Sequence, residues 1–251
     1  MKVRIEHGEC VMNIFILTGA GLSADSGLRT FRDNETGIWE GEKISEVCVA
    51  GCFEKNPDQV NAFYNKLREG VDTHVPNAAH HAISEYINKT NNKVMMVTQN
   101  IDNYHELTGS KPVKMHGDLY KMYCVKCGEY FHVDSGYIHD IDDACTFCGE
   151  TKSIRPDVVF FGEGVHIDEG KTNKFLTKDE NSERLSYFIA IGTSGNVYPA
   201  AGFAKKAHFH SNKVYINLTE DDKPHIFNQK RIGRAVDTVP KFFEELYDKY
   251  G

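Results

Sequence analysis

The sequence predicts an α/β fold: a doubly wound parallel sheet with a smaller second lobe of zinc-ribbon and helical character. Three observations predict it. Short apolar runs recur at Met12–Leu17, Val94–Thr98, Val158–Phe161, Phe188–Ile191 and Lys213–Leu218, with helical stretches such as Asn77–Ile87 and Pro199–Phe209 between them. Buried strands alternating with helices need crossover connections, and crossovers make the sheet parallel. The first run ends in Thr18-Gly19-Ala20-Gly21, a strand feeding a glycine turn. Two Cys-x2-Cys pairs, Cys124/Cys127 and Cys145/Cys148, stand seventeen residues apart in turn-rich sequence that breaks the rhythm.

The length of 251 residues suits a large domain plus a small one. A hydrophobic share of 40% with 26% charged residues is that of a soluble globular protein. The net charge of -7 and the pI near 5.9 argue against a dedicated nucleic-acid binder. No run approaches the roughly eighteen apolar residues of a membrane helix. The charged segment Met1–Cys10 offers no apolar signal-peptide core. A cytoplasmic monomer with no membrane or nucleic-acid partner is expected.

Thr36–His74 holds no convincing strand, and Asp58–Glu69 (DQVNAFYNKLRE) reads as an amphipathic helix. Tyr120–Lys152 carries the cysteine pairs. Both segments read as insertions that pack into a second lobe. The expected division is a sheet domain of 1–35, 75–118 and 155–251, a helical insertion of 36–74 and a zinc module of 119–154. The polar stretch Gly164–Arg184 is expected to be a mobile surface excursion.

Four thiolates saturate a tetrahedral zinc ion and leave no open position, so this metal is expected to be structural. Cys10, Cys48 and Cys52 show no partner geometry and read as small buried hydrophobes. Gly19-Ala20-Gly21-Leu22-Ser23-Ala24 follows a strand, where glycines admit a tight turn and a close approach to a pyrophosphate. By itself that pattern is equally a plain turn. Its continuation through Ser26-Gly27-Leu28-Arg29-Thr30-Phe31-Arg32 adds two cations and an aromatic, and no second strand follows with the ribose-binding acid of a dehydrogenase.

Gln99-Asn100-Ile101-Asp102 ends another strand, where ligands bind in open α/β sheets, although Asn and Asp also suit a cap or turn. Lys114-Met115-His116-Gly117 places a histidine at the expected domain junction, a general-base candidate among twelve histidines. Ile191-Gly192-Thr193-Ser194-Gly195 and Asn217-Leu218-Thr219 end later strands. Pro156–Glu163 is either an ordinary buried strand or an open edge for an extended peptide.

Taken in order, GAGLSADSGLRTFR, TQNID, the MHG histidine, the paired CxxC motifs, RPDVVFFGE, GTSGNVYPA and NLT resemble the sirtuin family, over about Ile14 to Ala235. The resemblance implies a Rossmann-type domain with a zinc module, and a cleft between them for NAD and acyl-lysine. It implies that Gly19, Ala20, Gly21, Ser23, Phe31, Arg32 and Trp39 line the dinucleotide. Gln99, Asn100, Ile101 and Asp102 would hold its nicotinamide half, and Gly192, Thr193, Ser194, Asn217, Leu218, Thr219 and Ala235 its adenosine half. His116 would be the general base, and Val159, Phe160 and Gly162 would meet the peptide.

The implied activity is NAD-dependent lysine deacylation, in which the acyl oxygen displaces nicotinamide and His116 takes a proton from a ribose hydroxyl. The products are nicotinamide, free lysine and O-acyl-ADP-ribose. The same scaffold would also serve an NAD hydrolase or an ADP-ribosyltransferase. FYNKLRE, TFRDNETGIWE and FGEGV look most like the branch with bacterial deacylases and mitochondrial desuccinylases. That branch grips acyl carboxylates with a Tyr-x-x-Arg pair. Tyr64 matches the tyrosine, but Leu67 stands at the arginine position, so acetyl is expected to be preferred over succinyl.

Overall fold

A computed structural model describes residues 11–28, 38–39, 42–178, 184–193, 200–220 and 226–250. In chain order the elements are β1 Asn13–Thr18, α1 Ala20–Ala24, β2 Ile38–Trp39, β3 Glu42–Lys43, α2 Ile44–Val47, α3 Cys52–Lys55, α4 Pro57–Asp72, α5 Ala78–Lys89 and β4 Lys93–Thr98. Then follow α6 Tyr104–Leu107, β5 Val113–Lys114, β6 Gly117–Cys124, β7 Tyr130–His132, β8 Ile154–Val158 and α7 Glu169–Thr177. The last are β9 Leu185–Ile191, α8 Ala200–Lys206, β10 Asn212–Asn217, β11 Gln229–Ile232 and α9 Ala235–Tyr250.

The main sheet has the order β11-β10-β9-β1-β4-β5, and every pairing in it is parallel. β1 is buried along its whole length, which is why it reads as an unbroken apolar run. Its side chains alternate between the two faces. Ile14 and Ile16 pack with Ile83 and Tyr86 of α5 and with Val239, Phe242 and Phe243 of α9. Phe15 and Leu17 pack with Leu176 of α7 and with Phe203 and Ala204 of α8. The doubly wound architecture thus stands. From β1 the chain runs out to β4 on one side and later returns to β9 on the other. The switch point therefore lies between the C-terminal ends of β1 and β9, the place where such sheets bind ligands.

The second lobe has its own core, in which Val47, Phe53, Val60, Phe63 and Tyr64 meet Leu119, Met122, Val133, Ile154 and Phe160. The expected helix Asp58–Glu69 is α4, begun by Pro57 at its first turn. One expectation fails here. The apolar run Val158–Phe161 is no strand of the main sheet: β8 ends at Val158 and pairs antiparallel with β6, in a separate sheet of order β7-β6-β8. An apolar run signals burial and not which sheet buries it. Pro156 is tolerated because β8 is an edge strand.

Two smaller departures follow. Ile38–Trp39 and Glu42–Lys43 form a two-stranded pairing where no strand was expected. The polar stretch after Gly164 contains α7, capped by Asp168, whose side chain accepts from the Lys171 N–H. Thr172 and Leu176 of α7 are buried, Leu176 in the same core as Phe15 and Leu17 of β1. Among the described residues no helix is long and apolar enough to cross a membrane.

Candidate active site and metal centre

The glycines at the switch point have a steric cause. The Gly19 N–H donates to the Ile191 carbonyl at 3.0 Å and the Gly21 N–H to the Gly192 carbonyl at 2.9 Å. A Cβ on Gly21 would lie 2.8 Å from the Gly192 Cα, and one on Gly192, at φ +61°, 2.2 Å from the Leu22 nitrogen. Only glycine lets the two strand-end loops close on each other. The sequence suggested backbone approach to a ligand; the structure adds backbone approach to backbone.

Beside this floor, Gln99 joins both strand ends. Its side-chain amide donates to Thr193 Oγ1 at 2.7 Å, and its backbone N–H donates to the Thr18 carbonyl at 2.9 Å. Its own carbonyl lies 2.9 Å from His116 Nδ1. A carbonyl only accepts, so Nδ1 carries the proton and Nε2 is left with the lone pair. Burial lowers the His116 pKa below the ordinary imidazole value, opposed in part by that carbonyl. The ring is thus a neutral base near pH 7. The Met115 N–H, on the residue before it, is held by the Thr98 carbonyl, and the His116 carbonyl accepts from the Val159 N–H at 3.0 Å.

Ser23, Asn100 and Asp102 are brought together and are buried. Ser23 Oγ donates to Asp102 at 2.9 Å, the Asn100 amide donates to Ser23 Oγ and to the Gly19 carbonyl, and the Tyr104 N–H caps the other Asp102 oxygen. Burial raises the Asp102 pKa, with these two donors and Lys114 acting against it. Ile101 is half-buried, packs against the second-lobe core and accepts at its carbonyl from the Leu119 N–H.

Asn217 donates its amide to the Thr193 carbonyl at 3.4 Å and to the Tyr215 hydroxyl at 2.7 Å. Leu218 and Thr219, just beyond, are exposed, while Ala235 is buried at the start of α9. Ala20 is half-buried in the first turn of α1. Phe31, Arg32 and Ser194 lie outside the described residues, and Trp39 is described by its backbone alone.

Sequence reasoning missed the polar layer beneath this site. Thr18 and Thr98 are paired in register and joined through their hydroxyls at 2.8 Å, and His105 Nε2 lies 3.1 Å from Thr18 Oγ1. His80 accepts from the Asn77 N–H at Nδ1, and its Nε2 lies 3.5 Å from Ser23 Oγ. The available signal was a threonine closing each of the two strands, Thr18 directly after the run Met12–Leu17 and Thr98 at the end of Val94–Thr98. His80 and His105 are fully buried, with ring centroids 5.1 Å apart.

Burial lowers the His80 pKa to about 4 and pushes His105 well below 6.5. The unfolded chain, with ordinary imidazoles, therefore binds more protons at acid pH. Stability is fully present above about pH 6.5 and falls toward pH 4, by about 3 kcal/mol for His80 alone. Urea midpoints at constant ionic strength should fall across that window, and less steeply in His80→Asn. Equal slopes in the two proteins would reject the assignment.

The four cysteine sulfurs all lie within 4.8 Å of one another, with Cys124–Cys148 at 3.7 Å and Cys127–Cys145 at 3.8 Å. Those gaps are far beyond a disulfide bond. Zn–S bonds of about 2.3 Å in a tetrahedron set sulfur–sulfur edges of about 3.8 Å, so the thiols fit the ion. The two halves are built alike: Cys-Val-Lys-Cys-Gly-Glu and Cys-Thr-Phe-Cys-Gly-Glu. In each, the first cysteine N–H donates to the glutamate carbonyl, and the glycine adopts positive φ (+77° and +76°) and donates back to that cysteine.

Tyr64 is fully buried, stacked on Phe160 with centroids 5.8 Å apart, and its hydroxyl donates to Cys48 Sγ at 3.4 Å. Leu67, one turn on, is half-buried on the same core. Arg68 points elsewhere, as the 100° helical step requires. Its guanidinium donates to the carbonyls of Leu119 and Tyr137 and to Asn65 Oδ1. Gly162 sits exposed at φ +94°.

A parallel sheet with a glycine switch point, a histidine base candidate at a strand end and a four-cysteine metal centre defines a nucleotide-site enzyme scaffold with a structural-metal lobe. The profile described as "Sir2 family" matches residues 19–199, and the chain belongs to that family. An NAD-dependent protein deacylase of Bdellovibrio bacteriovorus is 40% identical, covering 94% of this chain and 97% of the relative. One of Pasteurella multocida is also 40% identical, with coverage of 94% and 98%. Among solved structures, a Sir2 homolog–NAD complex superposes with a TM-score of 0.79 at 29% identity, covering 95% and 90% of the two chains. A Sir2 homologue mutant–ADP ribose complex gives 0.81 at 29% identity, with coverage of 94% and 92%.

Proposed function

We propose that the chain is an NAD-dependent protein lysine deacylase that favours acetyl-lysine and releases nicotinamide and O-acyl-ADP-ribose. One observation carries it: Gln99 touches the glycine-lined switch point through its side chain and holds His116 through its carbonyl, so one residue links a dinucleotide crevice to a neutral base. The switch point suits a dinucleotide, since glycines let the two strand-end loops close on each other where such sheets bind ligands.

Gly19, Ala20, Gly21 and Ser23 would hold the phosphates and adjoining ribose, Gln99, Asn100, Ile101 and Asp102 the nicotinamide half, and Gly192, Thr193, Asn217, Leu218, Thr219 and Ala235 the adenosine half. Bound NAD supplies the electrophilic sugar carbon. Nε2 of His116 accepts a proton from a sugar hydroxyl, and the lobes on either side orient the acyl-lysine and exclude water. Val159, Phe160 and Gly162 would meet the peptide, with Tyr64 and Leu67 beside the acyl group. The acidic chain would act in the cytoplasm as a monomer on proteins, with no nucleic-acid partner. Nicotinamide release from NAD should require an acetyl-lysine peptide and yield O-acetyl-ADP-ribose. Release that ignores the peptide would instead favour an NAD hydrolase.

The acyl preference follows from donors. Arg68 is occupied by backbone carbonyls, Tyr64 donates to a thiol, and Leu67 has no donor. A succinyl carboxylate would lose charge-assisted hydrogen bonds that contribute about 1.5–3 kcal/mol. Acetyl-peptide turnover should exceed succinyl-peptide turnover by about ten- to a hundredfold. Faster desuccinylation would reject the preference while leaving the deacylase assignment intact.

A further inference from the structure

We propose that Arg155 and Glu163 are positioning residues for the acyl-lysine peptide, setting the shape of the segment Val158–Gly162 that would receive it. The inference rests on the deacylase assignment. Arg155, on β8, has a side chain only 3% exposed, and its fork meets Glu163 twice, at 2.8 Å and 3.2 Å. The same guanidinium donates to the Val158 carbonyl at 2.7 Å, and Glu163 Oε2 accepts the Phe160 N–H at 2.8 Å. Arginine and glutamate thus hold the first and the middle residue of the five-residue segment by its backbone, in a planar geometry that an ammonium does not reproduce.

The loop so held is a bridge. On one side the Val159 N–H donates to the His116 carbonyl. On the other, Phe161 exchanges two backbone hydrogen bonds of 2.9 Å with Cys48 and Ala50 of the helical insertion. Between them the guanidinium carbon lies 3.6 Å from the Phe160 ring centroid, and that ring is stacked on Tyr64. The clasp therefore couples the base, the peptide segment and the acyl-side tyrosine without touching the glycine floor of the nucleotide crevice. Phe161 and Gly162 stay exposed above it. Misplacing a bound substrate by about 1 Å costs up to about a hundredfold in rate. Loosening the clasp should therefore weaken peptide use and spare NAD.

The test is steady-state kinetics of Glu163→Gln with an acetyl-lysine peptide, each substrate varied in turn. Glutamine keeps an acceptor for the Phe160 N–H at a partly exposed position. KM for the peptide should rise about tenfold or more, KM for NAD should stay within about twofold, and the pH profile of kcat should not move. Arg155→Lys, which keeps the charge and loses the fork, should show the same split. An unchanged peptide KM in both variants, or a parallel rise in both KM values, would overturn the proposal while the deacylase assignment stands. Wild-type protein that releases no nicotinamide with the peptide would overturn both.

Discussion

Replacing His116 by Ala is expected to lower kcat by about 10²–10⁴-fold, the contribution of a positioned general base. The fold should survive. The ring makes a hydrogen bond to Gln99, and a lost neutral bond of this kind costs about 1 kcal/mol. NAD binding and metal content should be unchanged, because the glycine floor and the cysteine cluster are built without this ring. The wild-type pH profile carries a second signature. The active form is the neutral imidazole, so kcat/KM should fall as pH drops through the His116 pKa. Burial lowers that pKa, so the acid limb should lie below the ordinary value of about 6.5. An alanine variant with turnover near wild type, or an acid limb well above 6.5, would remove His116 from the mechanism.

Signals imposed by local chemistry were legible in the sequence, and signals imposed by tertiary packing were not. β1 and β4 announce themselves because helices cover both their faces. The cysteine spacing announces itself because four sulfurs around one ion need two tight knuckles. The run through Val158 carries the same apolar signal as β1 and belongs to another sheet, since burial alone does not name its partner strand. α9 escaped notice because Pro240 sits inside it, yet Ala235, Val239, Phe242, Phe243 and Leu246 keep a helical period that buries one face on the sheet. The loops at Gly19, Gln99 and His116 were readable as candidate site elements, but not the bond from Gln99 to His116. Nor does spacing reveal that Arg155 turns to Glu163, that Arg68 turns to carbonyls, or that His80 and His105 lie neutral beneath the site.

Stripping the metal is expected to unfold the cysteine module and spare the parallel sheet. Between Cys124 and Ile154 the only strand is the three-residue β7, too short to hold the segment by its own ladder. Four thiolates on zinc contribute about 10–16 kcal/mol in small zinc modules, far more than such a segment's backbone pairing. The module is also bolted to α4 from one helical face. The Asn65 side-chain amide donates to the His139 carbonyl and accepts from the His139 N–H, Arg68 donates to the Tyr137 carbonyl, and Asp72 accepts from the Ser135 hydroxyl and the Gly136 N–H. These contacts fix where the module docks, but several are exposed and do not replace the ion. Chelation, or Cys145→Ser at a buried ligand position, should therefore make residues 125–152 cleavable by protease while the sheet core stays resistant. Damage should then reach the proposed acyl side of the site through α4, which carries Tyr64 and Leu67 on the turns that Asn65 and Arg68 anchor. A metal-free protein whose 125–152 segment resists protease as before would show that the thiols hold the lobe without an ion.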